Sequence, residues 1–520
     1  MDAAYWRHWP ADMPRSLRAP RITLQEMFLR SARRFPDKPA AIFDGKSLSY
    51  GELQDKIESL AGHLQSDCGV DRGDRVLLCM QNSHDFVIAC FAILLADAVV
   101  VPVSPMNLAE ELRHYLQDSD AKVAITESGL AERFSGLHLQ ALVTERTKTS
   151  GTKPKPSEAN PDDLCLMPYT SGSTGRPKGC MHTHATVLHN VAGAAKWKHI
   201  TEDVVALATA PFFHVTGLIH SFFAAIYAGG TMVIQRRWDP LAAAQLVERY
   251  KCTHWDNVPT MVVDLLSRPE ALKHDISSLK WIFGGGAAMP EAIAQKLFDL
   301  CGVRYIEGYG LTETISQTHI NPPQNPKKQC LGIPAFDTEA LIVDPDTLTV
   351  LPNETQGEIV VRGPQLLTGY WKNPQATEAA WCEVKGRPGR FFRTGDLGRT
   401  DEDGYFYISD RLKRMINAAG MKVWPAEVEA AMYRHPAIKE CCIIASPDER
   451  RGETVKAVVV LKEGYAAVTG EEIVSWSKTQ MATYKAPRRV EFVDALPRTA
   501  SGKLMWRALQ EREWQGETRR

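Results

Sequence analysis

Apolar and polar positions along the chain follow two different periods. Between 48 and 65 the apolar residues Leu53, Ile57, Leu60, Ala61 and Leu64 fall three or four apart. That is the spacing of a helix with one buried stripe, and Ser49 stands where its cap belongs. Positions 75–79 (RVLLC), apolar after Arg75, predict a buried strand, 84–96 a helix, and 98–103 a second buried strand. Strands with no polar face, separated by helices, argue for a parallel sheet covered on both sides. Strands at 123–126 and 142–143 continue the rhythm. It pauses over 144–163, a stretch rich in Lys, Ser, Thr and Pro that reads as a surface loop. It resumes with strands at 164–167, 204–209, 231–234, 253–258, 280–283 and 303–307, and helices at 218–228, 240–250 and from Pro290 to 300. From 340 to 410, short β-rich runs (358–362, 405–408) separated by glycine turns predict an antiparallel subdomain. Beyond 411 the texture is helix 426–433, strands 441–445 and 455–461, helix 471–483 and strand 489–492, a small α+β unit of ordinary domain size. The fold class is therefore α/β, with an N-terminal domain over 1–410 and a C-terminal domain over 411–520.

Composition narrows the function classes. The chain has 520 residues, 44% hydrophobic and 24% charged, as expected of a soluble enzyme of several domains. A net charge of -1 leaves no electrostatic footprint for nucleic acid or an anionic membrane. The 11 cysteines form no C-x-x-C pair, which suits a reducing cytoplasm with buried thiols better than a disulfide scaffold or a zinc site. Residues 1–20 lack the apolar core of a signal peptide. The longest apolar run, 91–103, is broken by Asp97 and is too short to cross a bilayer, so no integral membrane segment is expected.

Five stretches carry chemistry. YTSGSTGRPKG (169–179) holds four hydroxyl side chains, three glycines and Lys178. Glycines let successive backbone N–H groups turn toward one anion, hydroxyls add donors, and the lysine adds a point charge, so the run reads as a phosphate cradle and not as a plain polar hairpin. It is not a Walker A loop: Pro177 precedes the lysine and Gly179 follows it, where that motif requires Gly-Lys-Ser/Thr. In YIEGYGLTET (305–314), Tyr309 between Gly308 and Gly310 can lie flat against a planar ring. Thr312 and Glu313 can either hold Mg²⁺ or cap a helix. Asp396 in FRTGDLG, placed at a strand end, can accept from two ribose hydroxyls, although alone it reads as a turn residue. Lys503 in PRTASGK alone reads as a solvated tail lysine, and His214 in PFFHVTG alone as a core histidine.

Taken in order, YTSGSTGRPKG, PFFHVTG, GYGLTET, GEIVVRG, FRTGDLG, DRLKRMI and PRTASGK resemble the adenylate-forming superfamily of acyl-CoA synthetases, peptide-synthetase adenylation domains and firefly luciferases, over about 22–509. The resemblance implies a large N-terminal domain of layered α/β subdomains plus a β-barrel-like portion, and a small mobile C-terminal domain. It also implies an ATP-dependent acid–thiol ligase that forms an acyl-adenylate and then an acyl-CoA. In that scheme Thr170, Ser171, Gly172, Ser173, Thr174, Gly175 and Lys178 would hold the β- and γ-phosphates, with Mg²⁺ on Thr174 and Glu313. Tyr309 would stack on adenine, with Gly286, Ala287, Gly308, Gly310 and Thr312 as further nucleotide contacts. Asp396 and Arg411 would hold the ribose. Lys503 would bridge the carboxylate and the α-phosphate, where a cation offsets the repulsion between two anions. His214, with Lys503 and Glu313, completes the catalytic set. Lys413 would be the hinge that swaps Lys503 for the Gly420 loop lining a pantetheine tunnel.

Some relatives carry a lysine where this chain has Asn417, so no second-step role is transferred there. Glycine at 310, where acetate-specific relatives look as though they carry tryptophan, and the small run 284–288 imply a deep acyl pocket. PFFHVTG resembles the fatty-acyl ligases. The expected substrate is a medium- or long-chain fatty acid. An aryl or alicyclic carboxylate, or loading of a free carrier protein, is the alternative; no G-G-x-S attachment site is present for loading in cis. Expected partners are thus a small carboxylic acid, ATP and coenzyme A, with no nucleic acid, and a homodimer is allowed.

Overall fold

The apolar runs pair as parallel strands. In the computed structural model, which describes residues 4–170, 177–418, 421–448, 452–498 and 504–517, Arg75–Cys79 lies between Val99–Pro102 and Val123–Thr126, parallel to both. These belong to an eight-stranded sheet in the order Gly369–Tyr370, Lys178–Thr183, Leu164–Leu166, Val99–Pro102, Arg75–Cys79, Val123–Thr126, Ala141–Thr144, with Tyr169–Thr170 also paired to Lys178–Thr183. A nine-stranded sheet runs Ile333–Pro334, Ser316–Ile320, Tyr305–Leu311, Trp281–Gly285, His254–Asn257, Val205–Ala208, Thr231–Ile234, Pro39–Phe43, Lys46–Ser49. It is parallel except at its two edges.

One core joins the two sheets. The helices Leu24–Arg34, Tyr50–Ser66, His84–Leu95 and His184–Trp197 and the segment from Gly217 to Ala228 share it with residues of both. This explains why His84–Leu95 is buried on every side from Phe86 to Leu95: a helix between two sheets has no solvent face. Each such Leu, Ile or Phe contributes roughly 1.5–3 kcal/mol of burial. Ser49 caps Tyr50–Ser66 through a capping box with Glu52, as its position predicted. The stretch 144–163 is irregular, as predicted, but it is fastened down. A Cβ on Gly62 would lie 1.7 Å from the Thr152 carbonyl, and Lys155 N–H and Glu158 N–H donate to Gln65 and Asp97.

Three features differ from the sequence expectation. The helix expected at 218–228 begins as a π-helix, Gly217–Phe223, before Ala224–Ala228. The strand expected at 303–307 runs on through both glycines to Leu311 and returns as Ser316–Ile320. The helices Leu24–Arg34, Ala109–Ser119, His184–Trp197 and Trp506–Glu517 were not anticipated.

A third, five-stranded sheet holds Glu339–Val343, Gly357–Arg362, Arg390–Thr400, Trp381–Glu383 and Phe406–Arg411. Contacts divide the chain into two units, one of Met1–Leu341, Val360–Arg393 and Asp401–Tyr407, the other of Ile342–Ile359, Thr394–Thr400 and Ile408–Arg520. The second contains a sheet ordered Met421–Val423, Ile416–Ala418, Gly452–Leu461, Ile438–Asp448, with Arg489–Phe492 parallel to Gly452–Leu461. All eleven cysteines are free and all but Cys301 are buried. Among the described residues no helix is long and apolar enough to cross a membrane.

Candidate active site

The glycine- and hydroxyl-rich stretch is the connection of a hairpin: Tyr169 pairs with Gly179 and Thr170 with Lys178. A strand therefore follows the loop, in place of the helix of a Walker-type site. Both stems are tied to the Ala109–Ser119 helix. Tyr169 OH donates to Asp118 Oδ2 (2.6 Å) and His114 Nε2 to the Pro177 carbonyl (3.3 Å). Burial, and then the Asp118 carboxylate, push the Tyr169 phenol up, so it stays a donor. Trp371 adds a crosspiece, its indole N–H donating to the Asp118 carbonyl and its backbone N–H to that of Gly179, both 2.9 Å. A cavity of about 350 Å³ opens beside the stems, lined by His114, Asp118, Pro177, Lys178, Trp371 and Lys372 among others.

Lys178 and Glu313 meet across one side chain. The lysine Nζ sits 4.2 Å from the Tyr370 ring centroid, and Tyr370 OH donates to Glu313 Oε1 at 3.0 Å. Burial raises the Tyr370 phenol, with the Glu313 carboxylate adding to the shift. The Thr312–Thr314 turn that carries Glu313 is fastened by His182 Nε2, which donates to the Thr312 carbonyl (2.8 Å), and by Leu367 N–H, which donates to that of Glu313 (2.8 Å). Burial lowers the His182 imidazole to about 4, so it is neutral. Mg²⁺ bound with a nucleotide takes one or two carboxylates and keeps waters and phosphate oxygens. The half-buried Glu313 beside Thr312 fits that need, and among the described residues no group of three or more His, Cys, Asp or Glu forms a complete protein cage.

Tyr309 lies on Tyr305–Leu311 opposite His319, the two ring centroids 5.7 Å apart. The 284–288 run is its neighbour, since Gly285 pairs with Gly308 so closely that a Cβ would stand 2.6 Å from the Gly308 carbonyl. Gly286 and Ala287 follow in an exposed turn, Gly286 at φ +82°. Gly310 faces the Ser316 backbone, where a Cβ would meet the carbonyl oxygen at 1.6 Å. Glycine there is demanded by the bulge between Tyr309 and Gly310, which gives it a reason other than pocket depth. His214 is exposed at the head of the π-helix, its Nδ1 accepting from Thr216 N–H (3.3 Å).

Asp396 is not at a strand end. It is fully buried in mid-strand, in Arg390–Thr400, one residue after Gly395 at φ +69°. It belongs to the second unit, as do Arg411, which ends Phe406–Arg411, and Lys413, in the turn Leu412–Arg414. Ser171, Gly172, Ser173, Thr174, Gly175, Gly420 and Lys503 lie outside the described residues.

Residues 28–371 fit the AMP-binding enzyme family and residues 427–503 the AMP-binding enzyme C-terminal domain. The chain belongs to the AMP-binding enzyme family. It is similar to a long-chain-fatty-acid–CoA ligase of Bacillus subtilis, 36% identical over 97% of each chain, and to a feruloyl-CoA synthase of Amycolatopsis, 37% identical over 92% of this chain and 96% of that one. Among solved structures, ATP-bound MatB from Rhodopseudomonas palustris superposes with a TM-score of 0.85 at 28% identity, over 94% of this chain and 99% of that one. The chain is accordingly an AMP-forming acyl- or aryl-CoA synthetase, as the ordered motifs had indicated.

Four residues of this synthetase that bear on the site were missed by sequence reading: Tyr370, Asp118, His182 and Glu307. Glu307 sits one residue before Gly308, accepts from Met289 and Gln329 N–H (3.0 and 2.8 Å), and is raised to about 6 by burial. Tyr370 had a visible signal in the Gly369-Tyr370 pair within LLTGYWKNP, but nothing local to say what it faces.

Proposed function

We propose that this synthetase activates a medium- or long-chain fatty acid with MgATP and transfers the acyl group to coenzyme A. The observation that carries the choice of acid is the similarity to the Bacillus subtilis long-chain-fatty-acid ligase over 97% of both chains. The acid carboxylate attacks the α-phosphorus of ATP, the bond from that phosphorus to the bridging oxygen breaks, and pyrophosphate leaves. The thiol of coenzyme A then attacks the acyl carbonyl and AMP departs. Lys503 stands between carboxylate and α-phosphate and offsets the charge that gathers there. The loop from Thr170 to Lys178 holds the departing phosphates, and Glu313 with Thr174 would hold Mg²⁺, which supplies further charge neutralisation when bound. Tyr309 packs on adenine, Asp396 and Arg411 hold the ribose, and His214 orients the carboxylate. The mobile domain starts at 411, hinges at Lys413 and brings Gly420 to the pantetheine arm; the setting is cytoplasmic.

A second reading, an aryl substrate, is favoured by the feruloyl-CoA synthase, 37% identical over 92% of this chain. Pyrophosphate release is measured with straight-chain acids of increasing length, benzoate, cyclohexanecarboxylate and ferulate, each with coenzyme A or a phosphopantetheinyl carrier protein. A rise in turnover with chain length is expected; preference for ferulate or benzoate transfers the assignment to the aryl class. Lys503→Ala should abolish adenylate formation yet leave thioester formation from supplied acyl-adenylate nearly intact. Equal loss of both half-reactions in folded protein would refute the hinge.

A further inference from the structure

Two groups of opposite charge lie close to the phosphate loop, yet among the described residues no ion pair joins Lys178 to Glu313. Tyr370 stands between them. Its backbone is fixed by the pairing of Gly369–Tyr370 with Lys178–Thr183, which places Tyr370 opposite Cys180. Lys178 and Cys180 share one face of their strand, so the phenol ring is the diagonal neighbour of the lysine and receives its Nζ at 4.2 Å. The far end of the same ring donates to Glu313 Oε1 at 3.0 Å. The flanking backbone is bonded both ways as well: Leu367 N–H donates to the Glu313 carbonyl and Trp371 N–H to that of Gly179. A direct Lys178–Glu313 pair would neutralise the charges that phosphate and metal need. A ring face for the cation and a hydroxyl for the anion hold each in place without that cost.

We infer that Tyr370 is a positioning residue for MgATP, holding Lys178 and Glu313 apart and aimed. The inference rests on the assignment of Lys178 to phosphate and Glu313 to the metal. Its test uses the full-length protein and two variants. Tyr370→Phe keeps the ring and loses the hydroxyl; Tyr370→Leu loses both. ATP binding is titrated calorimetrically over a range of Mg²⁺ concentrations without acid, and thioester formation is measured separately from supplied acyl-adenylate and coenzyme A. Tyr370→Phe should raise the Mg²⁺ concentration for half-maximal ATP binding about tenfold, the worth of a hydrogen bond to a charged group, and leave metal-free ATP binding unchanged. Tyr370→Leu should in addition weaken metal-free ATP binding about threefold, as loss of a cation–π contact predicts. Both should make thioester at the wild-type rate. Wild-type Mg²⁺ dependence in Tyr370→Phe, or equal loss of the thioester step in either variant, overturns the inference. Should Tyr370→Leu fail to fold, Tyr370→Phe alone decides. ATP binding by the wild type that is indifferent to Mg²⁺ would instead refute the metal assignment of Glu313 and the inference with it.

Discussion

Tyr169→Phe should loosen the entry stem of the loop proposed to hold the phosphates. The phenol donates to Asp118 Oδ2 at 2.6 Å, a short bond to a charged acceptor worth about 1.5–3 kcal/mol. Asp118 is only half-buried, so water can replace the lost donor and the net cost falls to about 1–2 kcal/mol. The exit stem keeps its bond from His114 to the Pro177 carbonyl, and Trp371 still holds Gly179. One of three ties is lost, and the hairpin stays formed. If the loop must be ordered to receive the phosphates, 1–2 kcal/mol corresponds to a rise of about five- to thirtyfold in KM for ATP. The thioester step from supplied acyl-adenylate should be unaffected, and the melting temperature should fall by only about 1–3 °C in a unit of this size. The assay is pyrophosphate release against ATP concentration at saturating acid and Mg²⁺, with thermal melting alongside. Asp118→Asn, which keeps an acceptor oxygen but makes the bond neutral, should give roughly half the effect in free energy. A KM for ATP within twofold of wild type in folded Tyr169→Phe would show that the tie does not order the loop. Additive effects of Tyr169→Phe and Asp118→Asn would show that the two residues do not act through one bond.

Other consequences concern stability. Lys198 and Asp256 form a buried ion pair, each no more than 5% exposed, so Lys198→Met should cost about 3–5 kcal/mol by stranding the carboxylate, and adding Asp256→Leu should recover most of it. A single variant as stable as wild type in urea unfolding would refute this. His182, His184 and His254 are each lowered to about 4 by burial; neutral when folded, they bind protons once unfolded. Stability should therefore fall as pH drops from about 6.5 toward about 4, roughly 3 kcal/mol for each, and His184→Gln should flatten that limb of the urea midpoint against pH. Glu307 has the opposite sign: raised to about 6, it contributes stability below pH ~4.5 that is lost as pH rises through about 6, about 2 kcal/mol in all. Glu307→Gln should remove that component, and an unchanged profile would contradict the burial argument. Gly310→Ala should destabilise the protein by about 1–3 kcal/mol through its clash with Ser316, and a wild-type melting temperature would show that the bulge relaxes freely.

What could be read from the sequence was whatever a local pattern decides. Runs apolar but for one end residue at 75–79, 123–126 and 231–234 became parallel strands within a residue of their expected ends, because such a run has no polar face to show to water. Ser49 was legible as a cap because its partner Glu52 is three residues away. His184–Trp197 was not legible: eleven of its residues are buried, among them histidines and an asparagine, so no apolar stripe marks it. The site is harder still. Its ties join Tyr169 to Asp118 and Tyr370 to Glu313 across 51 and 57 residues, and only the packing of elements distant in sequence brings them together. Asp396 shows the same limit, since Thr-Gly-Asp looks like a turn, yet Gly395 at φ +69° lets the strand continue to Thr400.

Gly310 shows how one residue of a motif can answer to more than one physical cause. In the sequence its small size suggests a deep acyl pocket; in the structure the Ser316 carbonyl lies where a side chain would begin. That carbonyl is there because the chain reverses sharply after Glu313: Ile315 stands at φ +49° and Ser316 at φ +143°, conformations that cost a non-glycine residue about 1–3 kcal/mol each. The reversal is held by four buried contacts. Thr314 Oγ1 donates to the Ser316 carbonyl (2.6 Å), His220 Nε2 lies 2.7 Å from Ser316 Oγ, and Asn190 Nδ2 donates to the carbonyls of Thr314 and Gln317 (3.2 and 3.0 Å). At about 0.5–1.5 kcal/mol apiece these offset the strain. The turn bearing Glu313 is thus fixed from the π-helix and from His184–Trp197, which is what the metal-binding role proposed for Glu313 requires. Glycine at 310 is therefore a condition for that turn, whatever the size of the acid.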